Sequence, residues 1–173
     1  MAGIQINRIT NANIYVNGNC LLGTAEEVTL PDISVKETEH KALGMVGSIF
    51  LPSGFDKLEG KIKWNSFYFD VWSAFANPFV PVMLQCYCSV DTYASQGRIN
   101  QARMLTTVTA TMKKLPLGTF KQHENAEFQS DFTATYVKQQ LGGRDVIELD
   151  TMANVFKVNG VDQLELYKSN IGG

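Results

Sequence analysis

The chain has 173 residues, 45% hydrophobic and 18% charged, with a formal net charge of -2 at pH 7. That is enough apolar material for one folded domain to bury a sizeable core without staples, and with the charge scattered and nearly balanced nothing suggests a protein that grips nucleic acid through its phosphates. Any contact with DNA is expected to be loose or repulsive.

Met1 to Thr10 contain no basic segment followed by an apolar core, and no stretch approaches the roughly 18 to 20 apolar residues a membrane span needs. Synthesis in the cytoplasm without a signal peptide, and no membrane insertion by this chain, are the expectations. In chain order, strands are expected at Asn13 to Val16, Glu27 to Leu30, Ser34 to His40 and Lys57 to Trp64. In the last of these, Lys57, Glu59, Lys61 and Lys63 alternate with Leu58, Ile62 and Trp64. Phe50 to Phe55 reads as a loop.

After Ser66, a candidate cap, Phe67, Val71, Trp72 and Phe75 fall on one helical stripe that Asn77-Pro78 stops. A short helix there is expected to lay its aromatics on the sheet core. From Val80 to Val90, apolar residues at every second position give a strand buried mainly on one face. It carries Cys86 and Cys88 on the same side. With Cys20 these thiols make an odd set, read as small buried hydrophobes in a reducing compartment.

Thr92 to Gln101 reads as a loop, and the β-branched run in Arg103 to Leu115 as a strand. The clearest alternation lies between Ala126 and Gln140. Phe128, Phe132, Ala134 and Tyr136 stand on one face, and Glu127, Gln129, Asp131, Thr133, Thr135 and Gln139 on the other, wet one. Gly142-Gly143 suits a tight hairpin returning through Asp145 to Asp150. A last strand is expected at Val155 to Val158. Asp162 as N-cap with Glu165 as its capping box, and Val161 with Leu166 as a hydrophobic staple, then predict a second short helix.

Candidate chemistry is sparse. His40 and His123 belong to no metal-ligand spacing, and neither a nucleophile elbow, a phosphate-cradling glycine loop nor a dinucleotide fingerprint occurs. Glu148 and Asp150 share a strand face near Asp145, but an ordinary solvated face explains them better than an acid/base pair. The lysines of Lys57 to Lys63 are interrupted by Glu59 and lack interleaved aromatics, which favours a salt-bridged surface over a polyanion site. No catalytic residue, cofactor site or metal site is expected, and the chain is not expected to be an enzyme. A small-ligand barrel would need a closed apolar cavity, and a long wet-faced strand argues against one.

Gly143-Arg144-Asp145-Val146-Ile147-Glu148-Leu149-Asp150, then Lys157-Val158-Asn159-Gly160-Val161-Asp162-Gln163-Leu164 and the ending Asn170-Ile171-Gly172, resemble the major tail tube proteins of contractile-tailed bacteriophages. The R-type pyocin tube is similar. Upstream, Asn13-Ile14-Tyr15-Val16-Asn17-Gly18, Val28-Thr29-Leu30-Pro31 with Lys36, and Gly44-Met45 continue the resemblance in the family's order. Phe50 to Asn65 and Asp91 to Gln101 depart most from it.

The resemblance implies a mainly β chain: an antiparallel, sandwich- or barrel-like tube subunit with one flanking helix and a short C-terminal helix, residues 1–173 forming a single tube domain. It implies hexameric rings of the chain itself stacked into a tube. A contractile sheath lies outside, the tape-measure protein inside, and a baseplate hub and tail terminator at the ends, with transient non-specific passage of DNA at ejection. The location would be the virion tail, assembled in the host cytoplasm. A pyocin-like or secretion-type particle without DNA is the alternative. On this reading Glu127, Gln129, Asp131, Thr133 and Thr135 are expected to face the lumen, the competing assignment being the sheath-facing exterior. Leu43, Met45, Val46, Ile49, Phe50 and Leu51, within the extended stretch at 36–55, are expected to form an arm between subunits.

Overall fold

Alternating side chains become antiparallel strands throughout the computed structural model, which describes residues 3–172. The strands are β1 (Ile6–Val16), β2 (Asn19–Cys20), β3 (Ala25–Thr29), β4 (Val35–His40), β5 (Ile49–Phe55), β6 (Leu58–Trp64), β7 (Val82–Ala94), β8 (Gly97–Lys114), β9 (Phe128–Leu141), β10 (Arg144–Asp150), β11 (Val155–Val158) and β12 (Val161–Asp162). Two short helices complete the described residues, α1 (Phe69–Phe75) and α2 (Glu165–Asn170). The expected mainly β, antiparallel architecture with two small helices is therefore found.

Ten strands form one branched sheet, in the order β12-β11-β10-β9-β8-β7-β1-β2 with β6 and β3 added beside β9. The branch arises on β9. One edge of this long strand pairs with β8, while its other edge is shared, Phe128 to Ala134 with β6 and Tyr136 to Leu141 with β10. Both branches turn apolar side chains into one core, in which Ile14, Val16, Leu84 and Val108 join Leu58, Ile62, Trp64, Phe132 and Leu149. Each such side chain, fully buried, contributes roughly 1.5–3 kcal/mol of transfer free energy.

At the branch, Ala110 faces Ala134 but Thr109 faces Tyr136, so Thr135 is an extra residue in β9. This bulge re-phases the strand. Phe128, Ser130, Phe132 and Ala134 are buried before it, and Val137 after it. Tyr136, expected beside Phe132 on the buried face, turns to the other side, whereas Gln139, expected on the wet face, turns with Val137 toward the core side. There its amide donates to Thr106 Oγ1 at 3.3 Å.

Other differences follow from pairing. Phe50 to Phe55 is strand, not loop, because it pairs with β4 from Val35↔Phe55 to His40↔Ile49. Thr92 to Gln101 is the end of the β7–β8 hairpin, paired out to Ala94↔Gly97. Val80 lies before β7 and is exposed. Cys20 is exposed rather than buried, while Cys86 is buried and Cys88 half-buried with their sulfurs 3.8 Å apart. Burial pushes the Cys86 thiol up to about 12, reinforced by Cys88.

Helix α1 buries Val71, Trp72 and Phe75 as its stripe requires, but Tyr68 rather than Ser66 occupies the N-cap and makes no side-chain cap bond. Asp162 likewise is not the cap of α2. It pairs with Lys157 in β12, which delays the helix until Leu164, so Glu165 is its first residue instead of the third. Asp162 still accepts from the Leu164 amide at 2.9 Å and from Lys168 Nζ at 2.6 Å. Val161 and Leu166 are both exposed, so no staple forms. The Gly142-Gly143 hairpin is as expected, with φ of 58° and 81°, the left-handed values a two-residue turn of this kind requires.

Candidate functional site

Opposed residues on antiparallel strands point the same way, so the side of the sheet away from the core reads as rows across strands. One row runs Tyr15, Gln85, Thr107, Lys138 across β1, β7, β8 and β9, and the next Asn13, Tyr87, Leu105, Gln140. Met83, Thr109 and Tyr136 make a third across β7, β8 and β9. This face is mostly polar, with Thr107 and Thr109 set among tyrosines, amides and Lys138, and with Met83 and Leu105 as its apolar members. Tyr15 and Tyr87 pack edge to face at 5.0 Å within it.

The first row continues onto Glu148 and Lys157. Lys138 Nζ lies 2.9 Å from Asp145 and 3.6 Å from Glu148, which is also 3.6 Å from Lys157. The hydrogen bond from Lys138, then that from Gln140, holds the Asp145 carboxyl below its ordinary range, and the same contact raises Lys138. Glu148 is thus spent on lysines, and Asp150 Oδ1 accepts from the backbone of Met152 and Ala153 at 2.9 Å each. These carboxylates form a neutralised surface network rather than a convergent acid/base pair.

Of the residues singled out on the 126–140 strand, Gln129, Asp131 and Thr133 stand on the face away from Phe128, Ser130 and Phe132. Gln129 Nε2 donates to Asp131 Oδ1 at 3.1 Å. Glu127 lies just before β9, exposed, in a bridge with Thr119. Thr135 is the bulge residue, and its carbonyl accepts from the Thr151 amide and hydroxyl at 3.0 Å. Strand pairing adds residues that reading this strand alone misses. Lys63 stands opposite Gln129, Lys61 opposite Asp131 and Glu59 opposite Thr133.

The face is therefore mixed in charge rather than acidic. Glu59 bridges Lys113 at 2.9 Å and Lys57 at 3.0 Å, and those hydrogen bonds, Lys113 first, hold its carboxyl below the usual range. The signal was present in the alternating lysines of 57–63, but only the β6–β9 register places them beside Asp131.

The stretch at 36–55 is a two-stranded hairpin that, among the described residues, pairs with no other strand. Its base is held where Phe55 packs on Phe156 at 4.7 Å and the Asp56 amide donates to Ser34 O at 2.9 Å. Beyond the base, Leu43, Met45, Val46, Ile49, Phe50 and Leu51 are all exposed, Leu43 and Val46 fully. A cleft of about 540 Å³ lies between the base, the end of β10 and Tyr167 of α2. Among the described residues no group of three or more His, Cys, Asp or Glu could hold a metal ion, and no helix is long and apolar enough to cross a membrane.

Comparison with known proteins places this geometry. The family described as "Phage tail tube protein FII" matches residues 6–172. The tail tube protein of Escherichia phage P2 is 27% identical over 166 residues, covering 92% of this chain and 94% of that protein. The fold is also similar to a chain of the sheath–tube complex of an extracellular contractile injection system, PVC, in its extended state. That likeness has a TM-score of 0.55 and 15% identity and covers 75% of this chain and 87% of the other. A chain of the sheath/tube terminator of the same kind of system gives a TM-score of 0.54 at 14% identity, covering 75% and 92%.

Proposed function

Because the chain belongs to the phage tail tube protein FII family, it is a structural subunit of a phage tail tube, and we propose that it forms hexameric rings that stack inside a contractile sheath. On this reading the whole chain acts as one tube domain with the 36–55 hairpin as its arm to neighbouring subunits. The observation that carries the ring is the mostly polar face shared by β1, β7, β8 and β9, four long neighbouring strands whose opposite face is core over the stretch from Ile14 and Val82 to Val108 and Val137.

Six copies of those strands make about 24. At roughly 4.8 Å between strands and about 45° of tilt the backbone circle is on the order of 50 Å across, leaving a bore near ~40 Å once side chains are added. B-DNA, on the order of 20 Å wide, passes with room for water. Glu127, Gln129, Asp131, Thr133 and Thr135 line that bore together with Thr107, Thr109 and Lys61. Mixed charge and hydroxyls keep it wet without a cationic field that would hold phosphates.

The tape-measure protein fills the lumen during assembly, and DNA follows at ejection. Sheath, baseplate hub and tail terminator are the remaining partners; the sheath–tube and terminator assemblies of the structurally similar injection system support the sheath and terminator. The tube is a part of the virion tail and assembles in the host cytoplasm. Its role is mechanical rather than enzymatic.

Negative-stain electron microscopy of the purified chain over a range of concentrations tests the reading. Six-fold rings or hollow tubes are the expected result. Persistent monomers, also in the presence of baseplate components, overturn it.

A further inference from the structure

Cys86 and Cys88 stand two apart on β7, so both point to the core side of the sheet, and their sulfurs lie 3.8 Å apart. A direct bond between them is disfavoured. Residues two apart on a strand have Cα atoms about 6.6–6.8 Å apart, the upper limit for a disulfide, so closing one would buckle β7. A single metal ion between the sulfurs needs no such movement. At about 2.3 Å per metal–sulfur bond, two sulfurs on a tetrahedral or trigonal centre are about 3.8–4.0 Å apart. Pairing then brings a third sulfur to the same side. Met104 of β8 stands directly opposite Cys88 and is half-buried like it. Opposed residues have Cβ atoms about 4.5–5.5 Å apart, within reach of a flexible thioether.

On the other flank of Cys88, β1 leaves room. Thr10 and Asn11 both lie between Ile9 and Ala12, whereas β7 has only Ser89 between the partners Val90 and Cys88. This bulge sets Ala12, with a single methyl, opposite Cys88. A cleft of about 280 Å³ runs between this part of β1 and β3, and both cysteines line it. Exposed Glu27 lines it too, a negative charge on a cation's way in. We infer that Cys86, Cys88 and Met104 form a three-sulfur site for a soft divalent cation of the zinc group, entered through this cleft.

Ligand chemistry selects the ion. Thiolate and thioether sulfurs suit soft cations, whereas calcium and magnesium require oxygen. Charge selects the valence. On binding, each of the two thiols gives up a proton and forms a sulfur–metal bond, and two thiolates with one divalent ion carry no net charge, so no unpaired charge is left half-buried. The thioether adds a neutral third ligand. A fourth position is left to water from the cleft, which makes this an open, exchangeable site rather than the closed four-ligand kind that builds a fold. The site is independent of the tube reading, because it lies on the opposite side of the sheet from the Tyr15, Gln85, Thr107, Lys138 row. Cys20, opposite Tyr15 and accepting from Asn13 Nδ2 at 3.3 Å, belongs to that other side and does not reach the three sulfurs.

Cadmium is the probe. The full chain carrying Cys20→Ser, reduced and freed of metal, is titrated with Cd²⁺ against a competing chelator while the ultraviolet absorption of cadmium–thiolate bonds is followed. One Cd²⁺ per chain, two protons released and a raised melting temperature are expected. In the same background Cys88→Ala should abolish the absorption. Met104→Leu, which conserves volume, should keep the absorption but weaken the affinity by about tenfold, with circular dichroism unchanged. Absorption that survives Cys88→Ala, an affinity in Met104→Leu equal to that of the Cys20→Ser chain, or a folded Cys20→Ser chain that gives no absorption overturns the three-sulfur site.

Discussion

Trp64 and Ser130 meet at the centre of the core, where the indole Nε1 donates to Ser130 Oγ at 2.9 Å and both side chains are almost wholly buried. They sit on the paired strands β6 and β9, Ser130 directly opposite Ile62 and Trp64 opposite Phe128. This is a polar contact between the two branches' shared strand and its neighbour, and no buried side-chain polar atom among the described residues lacks a partner. Ser130→Ala leaves the indole N–H unsatisfied in a dry site and is expected to cost about 1–3 kcal/mol. Urea unfolding of Ser130→Ala, Trp64→Phe and the double variant should give a double-variant loss smaller than the sum of the two. Strict additivity would mean that the bond contributes nothing.

Gly60 is also specified by β9. A Cβ there would stand 2.3 Å from Phe132 Cζ and 2.7 Å from Thr29 O, with β3 on one side and β9 on the other. Backbone oxygen cannot yield as a flexible side chain does. Gly60→Ala is expected to destabilise by about 1–3 kcal/mol through overpacking, and adding Phe132→Leu should recover part of the loss in the same chemical-denaturation assay.

Acid should weaken the Lys138 network. Asp145 has its folded pKa lowered, chiefly by the hydrogen bond from Lys138, so the stability it adds is present above its unfolded value of about 3.9 and is lost as pH falls below that toward the folded value. Thermal unfolding should therefore be flat in this contribution from neutral pH to about pH 5 and fall below about pH 4. Asp145→Asn should be less stable than the parent at neutral pH and show a shallower acid limb. Equal limbs would remove Asp145 from the account.

The lumen assignment is exposed to a charge test. Glu127→Lys with Asp131→Lys would join Lys61 and Lys63 on the same face, converting a mixed surface into a basic one. Tubes should still assemble, but DNA should leave more slowly, with a steeper dependence on salt because each lysine that meets a phosphate releases about one counterion. Single-particle ejection kinetics at two ionic strengths would show it. Unchanged kinetics would place these residues on the tube exterior.

Deleting Leu43 to Gly47 removes the exposed end of the hairpin without touching β4 or β5. The subunit fold should persist by circular dichroism and denaturation, while tubes disappear from electron micrographs. Normal tubes from the shortened chain would rule the hairpin out as an arm.

Much of this was legible in residue order. Alternation placed the cores of most strands, the Gly142-Gly143 pair marked its hairpin, and the Val71, Trp72, Phe75 stripe marked α1, because strand and helix periods impose themselves locally on side-chain direction. The motifs from Asn13 to Gly18 and from Gly143 to Leu164 were enough to point to the family. Tertiary structure decided what depends on partners distant in sequence. Polar Thr92 to Gln101 and loop-like Phe50 to Phe55 became strand because each met a backbone edge to pair with. Thr135 bulged and reversed the facing of Tyr136 and Gln139, a shift of one residue that no composition announces. Asp162 gave up a helix cap for a place in β12, and Lys61 came to stand beside Asp131, because register is set by hydrogen bonds between strands and not by either strand alone.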